Sequence, residues 1–139
     1  MQKLQRVMNA SARLIFCAPK HCHITPLLQQ LHWLPIRLRI EFKILLITFK
    51  VLQGSAPKYF IDLISLLPPS RYDLRRNNKG ILLSTPKSLK KVTMGDRSFM
   101  AAAPRLWNSL PIDIRSAKTT TSDFKRKLKT FLFRKAFCL

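Results

Sequence analysis

The sequence is poor in glycine and in acidic residues. Only 3 of its 139 residues are Gly, below the ordinary share of about 7%. Hairpin turns and dinucleotide-binding loops both use Gly, so its scarcity argues against a β-rich barrel and a Rossmann fold. Asp and Glu number 6 against 26 Lys and Arg, which gives a formal net charge of +20. A surplus of this size makes nucleic acid or an anionic membrane face the leading class of partner.

The chain also lacks a long apolar run and an even set of cysteines. In its most hydrophobic segment the longest uncharged apolar run is 44–49, whereas a membrane-spanning helix needs about 20 such residues. The three Cys do not suggest a disulfide scaffold, and we find no apolar leader with a small-residue cleavage site. We therefore expect no membrane span, no secretion, and a nuclear or cytoplasmic location with reduced thiols.

The composition is rich enough in hydrophobic residues for a folded, mainly α domain. Hydrophobic residues make up 47% of the chain, which argues against a wholly disordered protein. We expect an irregular helical bundle around a central buried helix at about 35–53, with at most one short β segment near 81–85. The predicted organisation is a single domain over 1–139, divided into amino-terminal helices (2–66), a basic loop region (67–97) and carboxy-terminal helices (98–139).

The segment at about 35–53 shows the most informative pattern. At about 100° per residue, its apolar side chains form two nearly opposite stripes. One stripe contains Ile36, Ile40, Ile44, Ile47 and Val51, and the other contains Leu38, Phe42, Leu45, Phe49 and Leu52. A helix that is apolar on opposite sides needs partners on both, which predicts a central position. Pro35 and Gly54 are typical start and end signals for it.

Periodicity and capping signals predict five further helical segments. Residues 2–18 are amphipathic, with Leu4, Val7, Met8, Leu14, Ile15 and Ala18 in one arc. A short helix is expected to be capped by Thr25 and to end before Pro35, and another is expected from Pro57 to about Leu66 with Phe60, Ile61 and Ile64 facing inward. A helix over 99–108 is expected to be broken or kinked near Pro104. The last helix is expected to be capped by Thr121 or Ser122 and to have an apolar stripe of Phe124, Leu128, Phe131 and Leu132.

The acidic residues do not form a pattern that is typical of catalysis. None precedes Glu41 and no two are adjacent, whereas two-metal polymerases and nucleases gather several carboxylates around Mg²⁺. The motifs GxxxxGK[ST], HExxH and GxSxG are absent. We expect no enzymatic activity, no catalytic residue and no cofactor.

One cluster, formed by Cys17, His21, Cys22 and His23, contains metal-ligand residue types. Zinc requires four ligands in a tetrahedron, and the adjacent Cys22 and His23 would strain to reach one ion. We therefore favour a thiol at a helix end and loop histidines over a zinc site, and expect no metal.

The basic residues give the strongest indication of function. Lys and Arg that neutralise phosphates release counterions, which produces affinity without sequence readout. The candidate nucleic-acid-binding residues are Arg71, Arg75, Arg76, Lys79, Lys87, Lys90, Lys91 and Arg97 in two connections, and Lys125, Arg126, Lys127, Lys129 and Arg134 on the last helix. Trp33, Tyr72 or Trp107 could stack on bases, although the surroundings of both Trp favour a core position. A membrane-surface or calmodulin-target helix at the carboxy end and a transit peptide within the first 40 residues are weaker alternatives.

Several strings occur in a recognisable order, namely HITPLL (23–28), LHWLP (31–35), RIEFKIL (39–45), GDRSF (95–99) and APRLWNSLP (103–111), followed by a helix containing Phe124, Lys125, Leu128, Phe131 and Leu132. Over about residues 2–137 the chain resembles the carboxy-terminal region of the polyprotein of non-LTR, LINE-type (jockey-like) retrotransposons. LHWLP and APRLWNSLP in tandem make the resemblance specific.

The resemblance implies a fragment of an RNA-directed DNA polymerase polyprotein whose endonuclease and reverse transcriptase domains would lie upstream of Met1. No catalytic residue carries over, because the paired-aspartate motif of the polymerase has no counterpart here. The implied function is a non-catalytic tail that binds RNA or DNA through phosphate contacts, with the upstream reverse transcriptase domain as a further partner. The alternatives are a scaffold that packs on the polymerase thumb and a decayed, non-functional copy of the element.

Overall fold

A computed structural model describes residues 2–67, 81–85, 98–115 and 119–138. These residues form six helices: α1 (Gln2–Ile15), α2 (Ile24–Gln30), α3 (Ile36–Leu52), α4 (Lys58–Ile61), α5 (Phe99–Asn108) and α6 (Thr121–Phe137). The predicted mainly α fold is confirmed. In the described ranges, β structure is limited to an isolated antiparallel bridge between Leu66 and Leu83, as expected for the segment near 81–85.

The chain divides into two compact units. The first comprises Met1–Phe42 with Leu128–Leu139, and the second comprises Lys43–Lys127. Each of α3 and α6 contributes residues to both units. The organisation into a single domain with three regions stays a prediction, and the two units are described separately.

The core of the first unit is a hydrophobic cluster on α1 and α2. Met8, Ala12 and Leu28 are buried there, and partly buried apolar side chains pack around them: Ile24, Leu31, Trp33, Ile36 and Phe137. The side-chain oxygen of Gln5 accepts a hydrogen bond from the N–H of Ile36 at 2.9 Å. This contact satisfies one of the four N–H groups that the start of a helix leaves without an intrahelical partner, and it ties α1 to the start of α3.

α3 ends at Leu52, and Gly54 terminates it as predicted. Gly54 has φ +68°, and the N–H groups of Gly54 and Ser55 donate to the carbonyls of Val51 and Lys50 at 3.0 and 2.9 Å. This pair of hydrogen bonds is a Schellman motif, which requires a left-handed residue just after the helix.

α1 and α2 end with the same motif, but a residue other than glycine holds the left-handed position. In α2 the N–H groups of His32 and Trp33 donate to the carbonyls of Gln29 and Leu28 at 3.0 and 2.9 Å, and His32 has φ +52°. At the end of α1, Cys17 has φ +48°. A left-handed residue with a Cβ costs roughly 1–2 kcal/mol, so both positions carry strain that glycine would relieve.

Three aromatic rings form the centre of the second unit. Phe49 of α3 stacks on Phe124 of α6 with ring centroids 4.0 Å apart, and Trp107 of α5 lies 6.5 and 6.0 Å from them. Trp107 and Phe124 are fully buried, which confirms the predicted core position of Trp107. The buried aliphatic side chains of this unit include Leu45, Leu83, Ala102, Ala103, Leu110 and Ile114.

The extended segment 81–85 is fixed by hydrogen bonds from α5. The indole N–H of Trp107 donates to the carbonyl of Ile81 at 3.0 Å. The side-chain amide of Asn108 donates to the carbonyl of Leu83 at 2.8 Å and accepts from its N–H at 3.0 Å. Leu83 also forms the β-bridge to Leu66. Segment 81–85 is therefore held by backbone pairing at Leu66 and by side chains of α5.

The two stripes of α3 differ in burial. Leu38, Leu45 and Phe49 are buried on one side, whereas on the other Ile40 is 41% exposed and Val51 is buried. The expectation that both stripes are covered is therefore wrong at Ile40. The aromatic contacts of α3 in the second unit lie on the Phe49 side, so packing is concentrated on one of its two faces.

α1 has the predicted amphipathic pattern but exposes most of its apolar arc. Large apolar side chains are exposed at four positions, Leu4 (61%), Val7 (65%), Leu14 (78%) and Ile15 (55%). The helix also ends at Ile15, before the predicted limit at 18, because the chain turns at the left-handed Cys17.

α5 is continuous from Phe99 to Asn108, so of the predicted break or kink near Pro104 the break is wrong. Pro104 is buried inside the helix. A proline in a helix removes one backbone hydrogen bond, and the burial of its apolar ring in the core offsets part of that loss.

α4 is shorter than the helix predicted over 57–66. It ends at Ile61. Ile61 is 43% exposed, so the prediction that its side chain faces inward is wrong. Beyond it, the N–H of Leu67 donates to the carbonyl of Leu82 at 3.0 Å, beside the β-bridge. A backbone group paired in this way cannot also serve a helix, so the predicted helix cannot extend to Leu66.

Two predicted helix caps are wrong. Thr25 lies inside α2, which begins at Ile24 with no side-chain capping bond. α6 is capped by Thr120, whose hydroxyl oxygen accepts a hydrogen bond from the N–H of Asp123 at 3.2 Å. The predicted caps, Thr121 and Ser122, do not fill this role. The side-chain amide of Gln53 donates a hydrogen bond to the carbonyl of Thr119, the residue before this cap, at 3.0 Å.

Candidate nucleic-acid interface

The last helix, α6, carries five of the predicted binding residues. Its fully buried positions, Phe124, Leu128 and Leu132, recur every four residues and therefore share one face. The predicted apolar stripe is confirmed at these positions, and it directs the other faces of the helix outward. All five candidates on the helix are exposed: Lys125, Arg126, Lys127, Lys129 and Arg134.

In the second unit, the helix N-terminus holds three consecutive cations and one acid. Asp123 pairs with Arg126 at 2.9 Å, an exposed contact of the kind that contributes little to stability. For Lys125 and Lys127, the described ranges contain no carboxylate within ion-pair distance. Among the described residues, no carboxylate competes with a phosphate for these two ammonium groups.

In the first unit, Glu41 neutralises part of the positive charge. Its carboxylate lies 3.1 Å from the ammonium of Lys135 and 3.6 Å from Nε of Arg37. Lys129 and Arg134 form no ion pair with any carboxylate among the residues that the structure describes. Glu41 thus pairs with two cations that were not among the candidates, and the two candidates of this unit have no carboxylate partner among the described residues.

The remaining eight candidates, Arg71, Arg75, Arg76, Lys79, Lys87, Lys90, Lys91 and Arg97, lie outside the described residues. Tyr72, considered for base stacking, also lies outside them. Their part in an interface stays a prediction.

Arg115 is a cation of a different kind. It is only 5% exposed, and its Nε and Nη1 atoms have no hydrogen-bond partner among the described residues. Burial lowers the pKa of the Arg115 guanidinium below its ordinary value, because removal from water disfavours the charged form. Its burial separates it from the exposed cations of α6, so we do not include it in the interface.

The first unit contains a cavity of about 330 Å³ that the sequence analysis did not identify. Its lining combines aromatic rings, two cations and apolar side chains: His32, Trp33, Leu34, Arg39, Phe42 and Lys129. Of these residues only Lys129 was a predicted binding residue, and Trp33 was considered for stacking. The sequence feature that points to this cavity is the LHWLP string, in which His32 and Trp33 are adjacent.

Arg39 has a fixed position at this cavity. Its guanidinium carbon lies 5.5 Å from the centroid of the Trp33 ring, within the range of a cation–π contact. Its Nε donates to the carbonyl of Leu34 at 3.0 Å. Neither contact uses the four Nη hydrogens of the guanidinium, so these hydrogens can be donated to another acceptor.

His32 is held from two sides. Its ring stacks on Phe133 with centroids 5.6 Å apart and an interplanar angle of 19°, and its Nδ1 lies 3.3 Å from the carbonyl oxygen of Gln30. A carbonyl oxygen can only accept, so this contact favours a proton on Nδ1. His32 is exposed, and its ring is therefore accessible as well as oriented.

The two tryptophans have different roles. Trp107 is 1% exposed with its N–H bonded to Ile81, which confirms the core interpretation and removes it as a stacking residue. Trp33 is half-buried against the core cluster of the first unit and also borders the cavity.

The cysteine and histidine cluster lies between α1 and α2. Cys17 is exposed, Cys22 is half-buried, and both are free thiols. Nowhere in the described ranges do three or more His, Cys, Asp or Glu side chains come together in a way that could hold a metal ion.

No protein-family model, curated protein or solved structure matches this chain. Among the described residues, no helix combines the length and the apolar composition needed to cross a bilayer.

Proposed function

We propose that the protein binds RNA or DNA through phosphate contacts, as the non-catalytic carboxy-terminal region of a LINE-type reverse transcriptase. The observation that carries the binding proposal is the exposure of all five α6 candidates on a helix with a single acidic residue. The net charge of +20 supports it, because six carboxylates can compensate only a minor part of 26 cations. The LHWLP and APRLWNSLP strings support the assignment to the retrotransposon family.

A scaffold role on the polymerase is the second candidate, and a specific observation favours it. Four large apolar side chains of α1 are more than half exposed, and contiguous apolar surface of this kind is typical of protein contacts. The two candidates are compatible physically, because α1 and the cations of α6 offer different chemistry.

The binding proposal is tested by the salt dependence of affinity. If about six phosphates are contacted, log affinity falls with log salt at a slope near −5. Fluorescence anisotropy of the full chain with labelled RNA and duplex DNA at several salt concentrations measures this slope. A flat salt dependence, or no binding near physiological salt, contradicts the proposal and favours the scaffold role.

A triple variant locates the contacts. Replacement of Lys125, Arg126 and Lys127 by Gln is expected to make the slope shallower by about 2–3, since each lost phosphate contact removes about 0.7–0.9. The control removes the same charge from exposed, dispersed positions, Lys3, Lys20 and Lys58. Equal effects of the two variants would show that the interface is not centred on α6.

A further inference from the structure

The cavity of the first unit combines the two features that single-stranded nucleic acid requires. Bases bind to proteins by stacking on aromatic rings, and the backbone binds to cations beside them. Here the exposed imidazole of His32 and the half-buried indole of Trp33 share a cavity with Arg39 and Lys129. At about 330 Å³, the cavity lies at the small end of the range for ligand sites, which fits one nucleotide better than a folded peptide.

We propose that this cavity holds one nucleotide of a single strand, with its base stacked on His32 and its phosphates on Arg39 and Lys129. The inference rests on the proposed binding of nucleic acid and names the class of nucleic acid and the residues that contact the base. A base inside a duplex is stacked on its neighbours and cannot reach the imidazole. The cavity therefore selects single strands over duplexes.

The backbone of His32 gives a separate argument for a role of its side chain. Its left-handed conformation at the end of α2 is one that glycine adopts without strain. Strained residues of this kind persist where the surrounding structure holds them, and they cluster at functional sites. Here the strain presents an imidazole at the cavity, and Phe133 and the Gln30 carbonyl fix its orientation.

Trp33 and Arg39 have supporting roles. The indole packs on the core cluster, and the guanidinium lies over its ring. Because these two contacts already engage the Trp33 ring, the His32 ring provides the stacking surface for the base. Arg39, fixed by the Leu34 carbonyl, presents its Nη hydrogens to a phosphate without first losing the freedom of a mobile side chain.

The test compares strands that differ only in their bases. The full chain is titrated with a uridine oligomer of about eight nucleotides, within the usual size of a single-strand site, and with an abasic oligomer of the same length and charge. The base-containing strand is expected to bind about tenfold tighter, which corresponds to about 1.4 kcal/mol. A thymidine oligomer and a matched duplex form the other arms, and the duplex is expected to show no base-dependent gain.

His32→Gly is the decisive variant. It relieves the backbone strain, so the thermal midpoint is expected to stay unchanged or rise, while the tenfold preference for bases is lost. Cys17→Gly makes the same backbone change at the end of α1, and is expected to leave the preference intact. Lys125→Gln lowers the affinity for both strands equally, because it removes a charge outside the cavity.

The outcomes separate the two proposals. Salt-dependent binding with equal affinity for uridine and abasic strands overturns the nucleotide site and leaves the phosphate-binding function standing. A preserved preference in His32→Gly also overturns it. Absence of salt-dependent binding to any nucleic acid overturns both proposals.

Discussion

Trp107 and Asn108, which belong to the APRLWNSLP string, act together on one short segment. The indole N–H and the side-chain amide reach Ile81 and Leu83 and supply three hydrogen bonds between 2.8 and 3.0 Å. The same Trp107 ring packs against the stacked pair of Phe49 and Phe124. The motif therefore joins the aromatic centre of the second unit to its extended segment, which is a structural role.

The geometry of Asn108 leads to a stability prediction. Asn108→Asp keeps an acceptor for the Leu83 N–H but loses the donor and places a carboxylate against the Leu83 carbonyl. Loss of a part-buried hydrogen bond with an unpaired acceptor costs about 1–3 kcal/mol, so the free energy of unfolding is expected to fall by that amount in urea titrations. Ser109→Thr, at the exposed neighbouring position, keeps the hydroxyl that donates to the Leu106 carbonyl. It is the control and is expected to change the free energy of unfolding by less than about 0.5 kcal/mol. Equal effects would show that the amide does not fix the segment.

At the scale of elements, the helices with strong periodicity and clear end signals were predictable from the sequence. α3 and α6 lie where the apolar stripes place them, and Gly54 ends α3 as expected. The errors arose where tertiary contacts decided between local alternatives. A β-bridge holds Leu66 where a longer helix was predicted, and α5 continues through the buried Pro104.

The candidate site divides in the same way. Cations on the outward faces of α6 follow from the period of its apolar residues, so their exposure could be predicted. The cavity around His32 could not, because it depends on Phe133 and Lys129 meeting residues about one hundred positions earlier in the chain. A left-handed histidine also has no sequence signal of its own, since glycine is the residue usually expected there.

α1 gives a prediction about association. Val7 and Leu14 are 65% and 78% exposed, so Val7→Ser with Leu14→Ser is expected to reduce self-association while lowering the free energy of unfolding by less than about 1 kcal/mol. Sedimentation velocity at several concentrations and urea unfolding measure the two effects. Met8→Ser, at a position 6% exposed, is the contrasting variant and is expected to cost about 2 kcal/mol or more. A monodisperse parent protein would contradict the prediction.

At the scale of the whole molecule, the charge of +20 opposes the compact state. Like charges held on one folded chain repel each other, and the repulsion is relieved when the chain expands. Binding to a polyanion removes this cost and therefore links stability to the proposed function. The distribution of the charge matters, because clustered cations repel more strongly than the same number dispersed.

This linkage predicts that salt stabilises the protein. Raising ionic strength from about 0.01 M to about 0.1 M shortens the screening length from about 30 Å to about 10 Å, so the repulsion among the cations weakens. The thermal midpoint is expected to rise by a few degrees, which corresponds to about 1 kcal/mol for a chain of this size. The thermal midpoint is expected to rise less in the variant with Lys125, Arg126 and Lys127 replaced by Gln than in the variant with Lys3, Lys20 and Lys58 replaced. The reason is that adjacent cations contribute more repulsion than separated ones. Equal rises in both variants would mean that the α6 cations do not form a concentrated positive surface, and the binding proposal would lose its structural basis.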